Sequence, residues 1–292
     1  MIYFLTVNYY STNLVFQLIN SIEKTSYVDY KLIIINNSPD DNSIDNLKTE
    51  SVLIFNARTN LGFGCACNLG LKWIYNQDPQ AYVWIINPDA YLIENTLDKV
   101  KLFLDSYPEV SIIGTIIYTP TGEVWFAGGH FISTTCEILN KDLLTQTDKA
   151  YVACEWVSGC SLIINCRIFS DCPLFDPAYF LYYEDFDFCK RYAKQGHLIV
   201  VTKQFGVVHQ ASSITDRNIF LKTKHSTYSY LLTLERYTNL LVQTIKLTRL
   251  ISYAFVLIFI KPKVALGKLY GVLIYWKRCL TAIRERSTVK LL

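Results

Sequence analysis

Short apolar runs alternate with helical patterns through the first third of this 292-residue chain. Residues 2–7, 31–35, 52–55 and 82–86 are predicted strands, and helical spacing separates them. This alternation is typical of crossover units built around a largely parallel sheet. Because ligands of open α/β sheets bind at the carboxyl ends of the strands, we expect the functional site at that edge.

Polar residues follow several of these predicted strands. Asn8 ends the first strand, a polar turn at residues 36–41 follows the second, and Asn87-Pro88-Asp89 follows the fourth. Pro88 cannot donate to a sheet ladder, so it ends the strand and directs the Asp89 carboxylate outward. A divalent cation that bridges two phosphates needs one or two such oxygens. A turn or helix-capping role for Asp89 is an equally open alternative.

A second acidic motif, Glu184-Asp185-Phe186-Asp187, begins a helix predicted over residues 184–195. Asp187 stands four residues before Arg191, which predicts a structural ion pair on one helix face. Asp185 lies on a different face, where it is a candidate general base. Upstream, a glycine at position 159 interrupts a strand predicted over residues 155–164, which indicates a bulge or a close backbone approach.

Two further features carry weaker signals. His209 ends a short apolar strand, where a neutral imidazole can ligate a metal or cap a turn. A glycine-rich block at residues 60–70 offers backbone amides in front of a helix, an arrangement that suits phosphate binding. The block lacks both the Gly-Lys-Ser/Thr of a Walker motif and the spacing of the dinucleotide fingerprint.

Read in order, these motifs resemble those of the family 2 glycosyltransferases with the GT-A fold, especially the bacterial rhamnosyltransferase-like branch. The similarity spans nearly residues 1–215. The motifs that carry it are residues 60–70, Asn87-Pro88-Asp89, Trp156-Val157-Ser158-Gly159, residues 175–191 and His209. The resemblance implies an α/β GT-A catalytic domain at residues 1–215, with a mostly parallel central sheet flanked by helices. Beyond it, the pattern is helical and basic, which predicts a helical extension at 216–292.

The resemblance also implies roles for individual residues. Asp185 would be the catalytic base of an inverting transfer, and Asp89 with His209 would hold Mg²⁺ or Mn²⁺. The implied nucleotide-sugar site comprises Asn8, Asn36, Asn37, Ser38, Asp40, Asn60, Gly62, Asn68, Asn87 and Asp89. The implied acceptor side comprises Trp156, Gly159, Asp176 and Glu184.

Two departures from the family pattern bear on specificity. Asn36 stands where the family usually has aspartate, so an amide that donates as well as accepts replaces a charge near the base. Pro173-Leu174 replaces the usual Gly-Gly, which predicts a different shape on the acceptor side. The resemblance favours rhamnose as the sugar and leaves other sugars open.

Charge is distributed unevenly along the chain. Residues 1–216 hold 14 Lys/Arg against 23 Asp/Glu, and residues 217–292 hold 14 against 2, so the net charges are −9 and +12. The basic tail also contains the apolar run 251–260, about half of the ~20 residues needed to cross a bilayer. These features favour an anionic membrane surface over nucleic acid as a partner. A helical pair packed on the catalytic domain, or a homo-oligomer interface, is the alternative.

The remaining features place the chain in a reducing compartment. Its first residues contain no basic leader, which predicts a cytoplasmic protein, peripheral on the inner face of the cytoplasmic membrane. The nine cysteines form no Cys-x-x-Cys pair and are expected to be reduced. The overall expectation is transfer of a sugar from a nucleotide-sugar donor to a lipid-linked saccharide in cell-surface polysaccharide synthesis. A catalytically idle nucleotide-binding scaffold and a sugar-phosphate nucleotidyltransferase are the rival functions.

Overall fold

The structure, a computed structural model, describes residues 1–25, 29–210 and 215–289. The chain divides into two compact units. The first unit comprises Met1–Phe131, Ile138–Phe180 and Glu184–Ile214. The second comprises Ile132–Glu137, Leu181–Tyr183 and Thr215–Leu292. The second unit therefore includes two short segments from within the region expected to form the catalytic domain.

The described part of the first unit contains one ten-stranded sheet. Its main strands are β1 (Ile2–Asn8), β2 (Tyr30–Asn36), β3 (Val52–Asn56), β4 (Tyr82–Ile86), β6 (Ile112–Tyr118), β11 (Ser161–Asn165) and β12 (Ile199–His209). Three short strands lie at its margins: β5 (Ala90–Leu92), β7 (Val124–Phe126) and β10 (Val152–Ala153). A separate hairpin pairs β8 (Gly129–Ile132) with β9 (Glu137–Asn140).

Six strands of this sheet run in one direction, and β11 lies antiparallel between β4 and β6. All residues of β1 and β4 are buried, as expected for strands covered on both faces. The helices of this unit are α1 (Thr12–Lys24), α2 (Phe63–Gln77), α3 (Thr96–Ser106) and α4 (Glu184–Lys194). The mixed α/β fold with a mostly parallel central sheet is confirmed.

Two strand predictions were wrong in detail. Of the strand predicted over residues 155–164, only the last part forms, as β11 (Ser161–Asn165), and Gly159 lies in the loop between β10 and β11. The short apolar strand predicted to end at His209 is the last part of a longer strand, β12, whose register shifts between Thr202 and Gly206. A bulge inserts residues without ending a strand, which explains why the interrupted pattern predicted only a short strand.

The second unit contains three long helices, α5 (Ile219–Tyr237), α6 (Leu240–Ile260) and α7 (Pro262–Val289). The side chain of Asn239 caps α6 by accepting a hydrogen bond from the Val242 amide at 3.0 Å. Pro262 occupies the first position of α7, where its missing N–H costs nothing. The apolar run at residues 251–260 is therefore the second half of a 21-residue helix. By length and composition alone, α6 is one helix that could cross a bilayer.

Candidate active site

The ends of β1 and β2 lie side by side, with Asn8 paired to Asn36 in the sheet register. Asn8 Nδ2 donates to Asn36 Oδ1 at 3.1 Å. Asn36 Nδ2 donates in turn to the Asn56 side chain at 2.9 Å and to the Asp41 carbonyl at 2.8 Å. An aspartate at position 36 could not make these two donations, so the amide suits a buried network that also includes Asn56. The sequence analysis missed Asn56, which ends β3.

Asn37 connects this edge of the sheet to the glycine-rich loop. Its Nδ2 donates to Asn60 Oδ1 at 2.8 Å, and its Oδ1 accepts from the Leu61 amide at 2.8 Å. Asn60 Oδ1 also accepts from the Gly62 amide at 2.9 Å. These bonds fix the path of the loop as it enters α2. The structure thus brings three of the residues predicted to bind the nucleotide sugar, Asn37, Asn60 and Gly62, into one connected group.

Gly62 has a backbone conformation that requires glycine. Its φ is 78° and its ψ 177°, a region that residues with side chains essentially do not occupy. A Cβ at this position would also lie 2.1 Å from the Phe180 carbonyl oxygen. That carbonyl accepts a hydrogen bond from the Phe63 amide at 2.9 Å. The loop is therefore held tightly against the segment that leads toward α4.

Asn68 has an anchoring role. Its Nδ2 donates to the Phe175 carbonyl at 2.8 Å, and its Oδ1 accepts from the Phe175 amide at 2.8 Å. Asp176, the next residue, accepts from the Ala178 amide at 2.7 Å and so shapes a turn. Both side chains therefore organise residues 175–180 from within. Their predicted contacts with donor and acceptor stay predictions.

Ser38 and Asp40 both contact Tyr10, a residue that the sequence analysis did not single out. Ser38 Oγ accepts from the Tyr10 amide at 2.8 Å. The Tyr10 hydroxyl donates to Asp40 Oδ1, and this hydrogen bond raises the pKa of Tyr10 to about 12. Tyr10 has a φ of 49°, which turns its ring out beyond the end of β1. An exposed aromatic ring at a strand end suits stacking on a nucleobase.

Asp89 and His209 form a buried pair. His209 ends β12 opposite Ala90 of β5, so the sheet register sets the two side chains next to each other. His209 Nε2 lies 3.1 Å from Asp89 Oδ1, and each residue is about 6% exposed. The other ring nitrogen, Nδ1, is buried without a hydrogen-bond partner among the described residues. The Trp125 ring packs edge-on against the imidazole at 4.9 Å.

Asp185 lies at the start of α4, where backbone amides donate hydrogen bonds to both of its carboxylate oxygens. Oδ2 accepts from the Gly159 amide at 2.9 Å and Oδ1 from the Phe186 amide at 2.8 Å. Burial raises the pKa of Asp185, and these two N–H groups oppose that rise. A Cβ at Gly159 would approach Asp185 Cβ to 3.3 Å, so the close backbone approach predicted at this glycine is confirmed.

Glu184 is buried beside Asp185. Burial, followed by the charge of Asp185, raises the pKa of Glu184 to about 8. Its Oε2 has no hydrogen-bond partner among the described residues. The charge of Asp185 therefore opposes ionisation of Glu184. The neighbouring Asp187 is fully buried and pairs with Arg191 Nε at 2.7 Å, which confirms the predicted structural ion pair.

One short segment, residues 158–160, links the two acidic motifs. The Asn87 amide donates to the Cys160 carbonyl at 2.9 Å, and the Gly159 amide donates to Asp185. The charges of both Asp89 and Asp185 contribute to raising the pKa of the buried Cys160 thiol. Both carboxylates are therefore close enough to this segment to act on Cys160, at the edge of the sheet where β4 ends.

Trp156 stands apart from this carboxylate pair. Its ring packs on Gly129, where an added Cβ would lie 2.1 Å from the indole nitrogen, and it lies 5.1 Å from the Phe126 ring. The preceding residue, Glu155, pairs with Lys190 Nζ at 3.1 Å, which connects the loop between β10 and β11 to α4. The predicted role of Trp156 on the acceptor side stays a prediction.

The residues in front of α4 are strained. Tyr182 and Tyr183 have φ values of 70° and 66°, a left-handed conformation that is costly for large side chains. Within the second unit, Ser229 Oγ donates to the Leu181 carbonyl at 2.9 Å, and the Tyr230 ring lies 6.0 Å from that of Tyr183. These contacts from α5 offset the strain immediately before Glu184. The spacing of residues in the sequence does not predict these contacts between α5 and residues 181–183.

Comparisons of sequence identify the family. The family model described as "Glycosyl transferase family 2" matches residues 5–167. The N-acetylglucosaminyl-diphospho-decaprenol L-rhamnosyltransferase of Mycobacterium tuberculosis is 26% identical over 201 residues, which are 57% of this chain and 66% of that protein. The chain therefore spans slightly less than two thirds of this relative's length.

Comparisons of structure point to the same fold. GalNAc-T7, solved with UDP, GalNAc and Mn²⁺, superposes with a TM-score of 0.63 at 13% identity, over 80% of this chain and 47% of that chain. Residues 1–349 of S. aureus TarS, solved with UDP, superpose with a TM-score of 0.51 at 14% identity, over 81% of this chain and 66% of that chain. At these identities the likeness concerns the fold alone, and it confirms the GT-A fold that the motifs predict.

Proposed function

This chain belongs to glycosyl transferase family 2 and is a glycosyltransferase, and from that premise we propose which sugar transfer it catalyses. The donor is a nucleoside-diphosphate sugar, with rhamnose the first candidate, and the acceptor is a hydroxyl of a lipid-linked saccharide. The observation that carries the proposal is that residues 158–160 bond to both acidic motifs and that the charges of Asp89 and Asp185 both act on Cys160. The rhamnosyltransferase relative, whose name specifies a diphospho-decaprenol acceptor, supports the choice of substrates.

Asp185 acts as the general base. Its raised pKa makes the ionised carboxylate a stronger proton acceptor than an exposed aspartate. The two amides that hold its oxygens fix the direction of the remaining lone pairs. As the acceptor oxygen forms its bond to the anomeric carbon, its proton passes to Asp185 and the bond to the diphosphate breaks. A single displacement of this kind inverts the anomeric configuration.

Asp89 and His209 suit a divalent cation. Their facing atoms lie 3.1 Å apart, close to the ~3 Å between neighbouring ligands of an octahedral ion with bonds of about 2.1 Å. Within residues 1–25, 29–210 and 215–289, no cluster of three or more His, Cys, Asp or Glu forms a closed metal cage. Such a two-ligand site fits Mg²⁺ or Mn²⁺, which take their other ligands from water and phosphate. A bound ion would neutralise charge on the leaving diphosphate.

The base and sugar of the donor are assigned to the opposite end of the site. The exposed Tyr10 ring, the Asn37–Asn60 bridge and the Gly62 loop lie where β1 and β2 end. Asn8 and Asn36 support them from the buried network below. In this arrangement the nucleoside lies over β1 and β2, and the diphosphate extends along the sheet edge toward Asp89.

The lipid chain of the acceptor places the reaction at a membrane surface. We assign the enzyme to the cytoplasmic side, because the cysteines of the described residues are all unpaired, as is usual in a reducing compartment. The product is a longer lipid-linked saccharide. A further transferase or a polymerising step must then consume it.

The test is a panel of nucleotide sugars, screened for thermal stabilisation with and without Mn²⁺. A ligand at 100 times its dissociation constant adds about 2.7 kcal/mol to the stability of the folded state. We expect one donor to stabilise the protein only with the cation, and to release free nucleoside diphosphate when lipid-linked acceptor is added. Turnover that needs nucleoside triphosphate and a sugar phosphate would instead identify a nucleotidyltransferase. Stabilisation without turnover on any acceptor would favour an idle scaffold.

A further inference from the structure

Helix α6 presents an uncharged apolar strip on the side that faces away from its packed residues. Ala254 and Leu257 are its buried residues. On the opposite side lies a strip with alternating spacings of four and three residues, which places its members on one helix face. We call it the outer stripe: Leu241, Ile245, Thr248, Ser252, Phe255 and Phe259. Its apolar members are 49–91% exposed, with Phe259 at 91%.

This pattern is the reverse of an ordinary surface helix, whose outward face is charged. Exposed apolar surface of this extent on a folded domain marks a contact with a partner or a membrane. From Leu241 to Phe259 the outer stripe extends over 18 helical steps, about 27 Å at ~1.5 Å per residue. Helix α7 continues the pattern with Leu266, Leu273 and Leu280, which are 57–67% exposed.

The charges on α6 and α7 indicate what binds the outer stripe. Residues 240–281 contain seven Lys/Arg and no Asp or Glu. Arg278 pairs with Glu235 of α5, but a second copy of residues 240–281 would bring its cations against the others with no Asp or Glu in that range to pair them, which disfavours self-association. An anionic lipid surface is complementary to both features, because its headgroups attract the cations and its acyl region accepts the apolar side chains. Exposed Tyr270 and Trp276 add the aromatic anchors typical of that boundary.

The positions of the charges also decide the orientation. A spanning α6 would put Arg249, nine residues from one end and eleven from the other, near the bilayer centre, at a cost of about 3 kcal/mol. It would also carry Lys261 and Lys263 to the far side. Lys268 Nζ lies 5.9 Å from the Tyr253 ring, so α7 would have to follow α6 into the lipid with its own cations. A helix lying in the membrane plane avoids all three costs.

We propose that α6 and α7 bind the surface of an anionic phospholipid bilayer with their axes in the membrane plane and the outer stripe in the headgroup–acyl boundary. The proposal deepens the proposed function, on which it rests for the lipid-linked acceptor. Recruitment to the surface would confine the enzyme to the plane in which that acceptor diffuses. The segment Leu181–Tyr183, which leads directly into Glu184 and Asp185, belongs to the same unit as these helices.

The first measurement is co-sedimentation of the full chain with vesicles. We expect binding to phosphatidylcholine vesicles that contain phosphatidylglycerol, and much weaker binding to phosphatidylcholine alone. Phe255→Ser/Phe259→Ser should weaken binding about 100-fold, at about tenfold for each buried phenylalanine. Lys261→Gln/Lys263→Gln should weaken it about 30-fold, at about fivefold for each cation.

Matched controls lie on α3 of the first unit. Leu102 is 68% exposed, and Lys99 and Lys101 are exposed on the same helix. Leu102→Ser and Lys99→Gln/Lys101→Gln should bind vesicles like the wild type. A far-ultraviolet circular dichroism melt of each variant should match that of the wild type, because the replaced side chains lie in solvent.

Three results would overturn the proposal. The first is equal binding of the α6 variants and the wild type. The second is resistance of the bound protein to alkaline extraction, which would indicate a spanning helix. The third is a concentration-dependent dimer that Phe255→Ser/Phe259→Ser abolishes, in a chain that ignores vesicles. Turnover on a water-soluble acceptor analogue separates this proposal from the proposed function, since the α6 variants should retain that turnover.

Discussion

Glu184 gives the sharpest test of the electrostatics at the start of α4. Its carboxyl is about 6% exposed, lies next to Asp185 and has a pKa raised from 4.5 to about 8, first by burial and then by that neighbouring charge. Glu184→Gln keeps the shape of the side chain but removes the ionisation. The variant should therefore differ from the wild type in how its stability depends on pH.

The sign follows from proton binding. A carboxyl whose pKa is higher in the folded state binds its proton more tightly there, so rising pH favours the unfolded chain between the two pKa values. The wild type has the full stabilisation from the proton bound to Glu184 below pH 4.5, and loses it as the pH rises toward about 8. Between pH 4.5 and pH 7 the free energy of unfolding of the wild type falls by about 1.36 kcal/mol per pH unit, or roughly 3 kcal/mol in total.

Urea denaturation of both proteins from pH 5 to pH 8 measures this loss. The free energy of unfolding of Glu184→Gln, relative to that of the wild type, should increase by up to about 1.4 kcal/mol per pH unit as the pH rises. Glu94→Gln replaces an exposed glutamate and should track the wild type throughout. A difference between Glu184→Gln and the wild type that is constant with pH would refute the reasoning, because it would mean that Glu184 ionises normally in the folded state.

Three further substitutions test the scaffold of the site. Gly62→Ala should lower the free energy of unfolding by about 3 kcal/mol or more, because the new Cβ meets the Phe180 carbonyl; Gly122→Ala, at a similar positive φ with open space around it, should cost about 1 kcal/mol. Asn68→Ala should lower it by about 2 kcal/mol in urea denaturation, since two backbone groups of Phe175 lose their partner. Ser229→Ala should lower kcat without raising the donor KM, because it frees the strained segment before Asp185; an unchanged kcat would remove that positioning role.

Several features of the fold were predictable because they depend on neighbours in the sequence. Fully buried strands appear as continuous apolar runs, and Asn8 and Asn36 follow directly from where such runs end. The Asp187–Arg191 pair is set by helix spacing alone. Glycine at position 159 signalled a close approach because it is the residue with no side chain to displace.

Other features depend on distant residues and left no local signal. The amides of Asn8 and Asn36 bond mainly to other parts of the protein, a pairing that exists only once β1, β2 and β3 are assembled. The placement of β11 between β4 and β6 likewise depends on long-range pairing. The full length of α6 was missed because Lys246 and Arg249 interrupt the apolar run, although charges do not end a helix.

The central claim is that two carboxylates serve one transfer in different ways, Asp89 through the donor and Asp185 through the acceptor proton. Calorimetric titration of nucleoside diphosphate with Mn²⁺ into Asp89→Asn and Asp185→Asn, together with the transfer rate of each, tests it most directly. Both variants should lose transfer by at least about a hundredfold, while only Asp89→Asn loses cation-dependent binding of the nucleotide. Undiminished transfer by Asp185→Asn, or equal loss of nucleotide binding in both variants, would contradict the account.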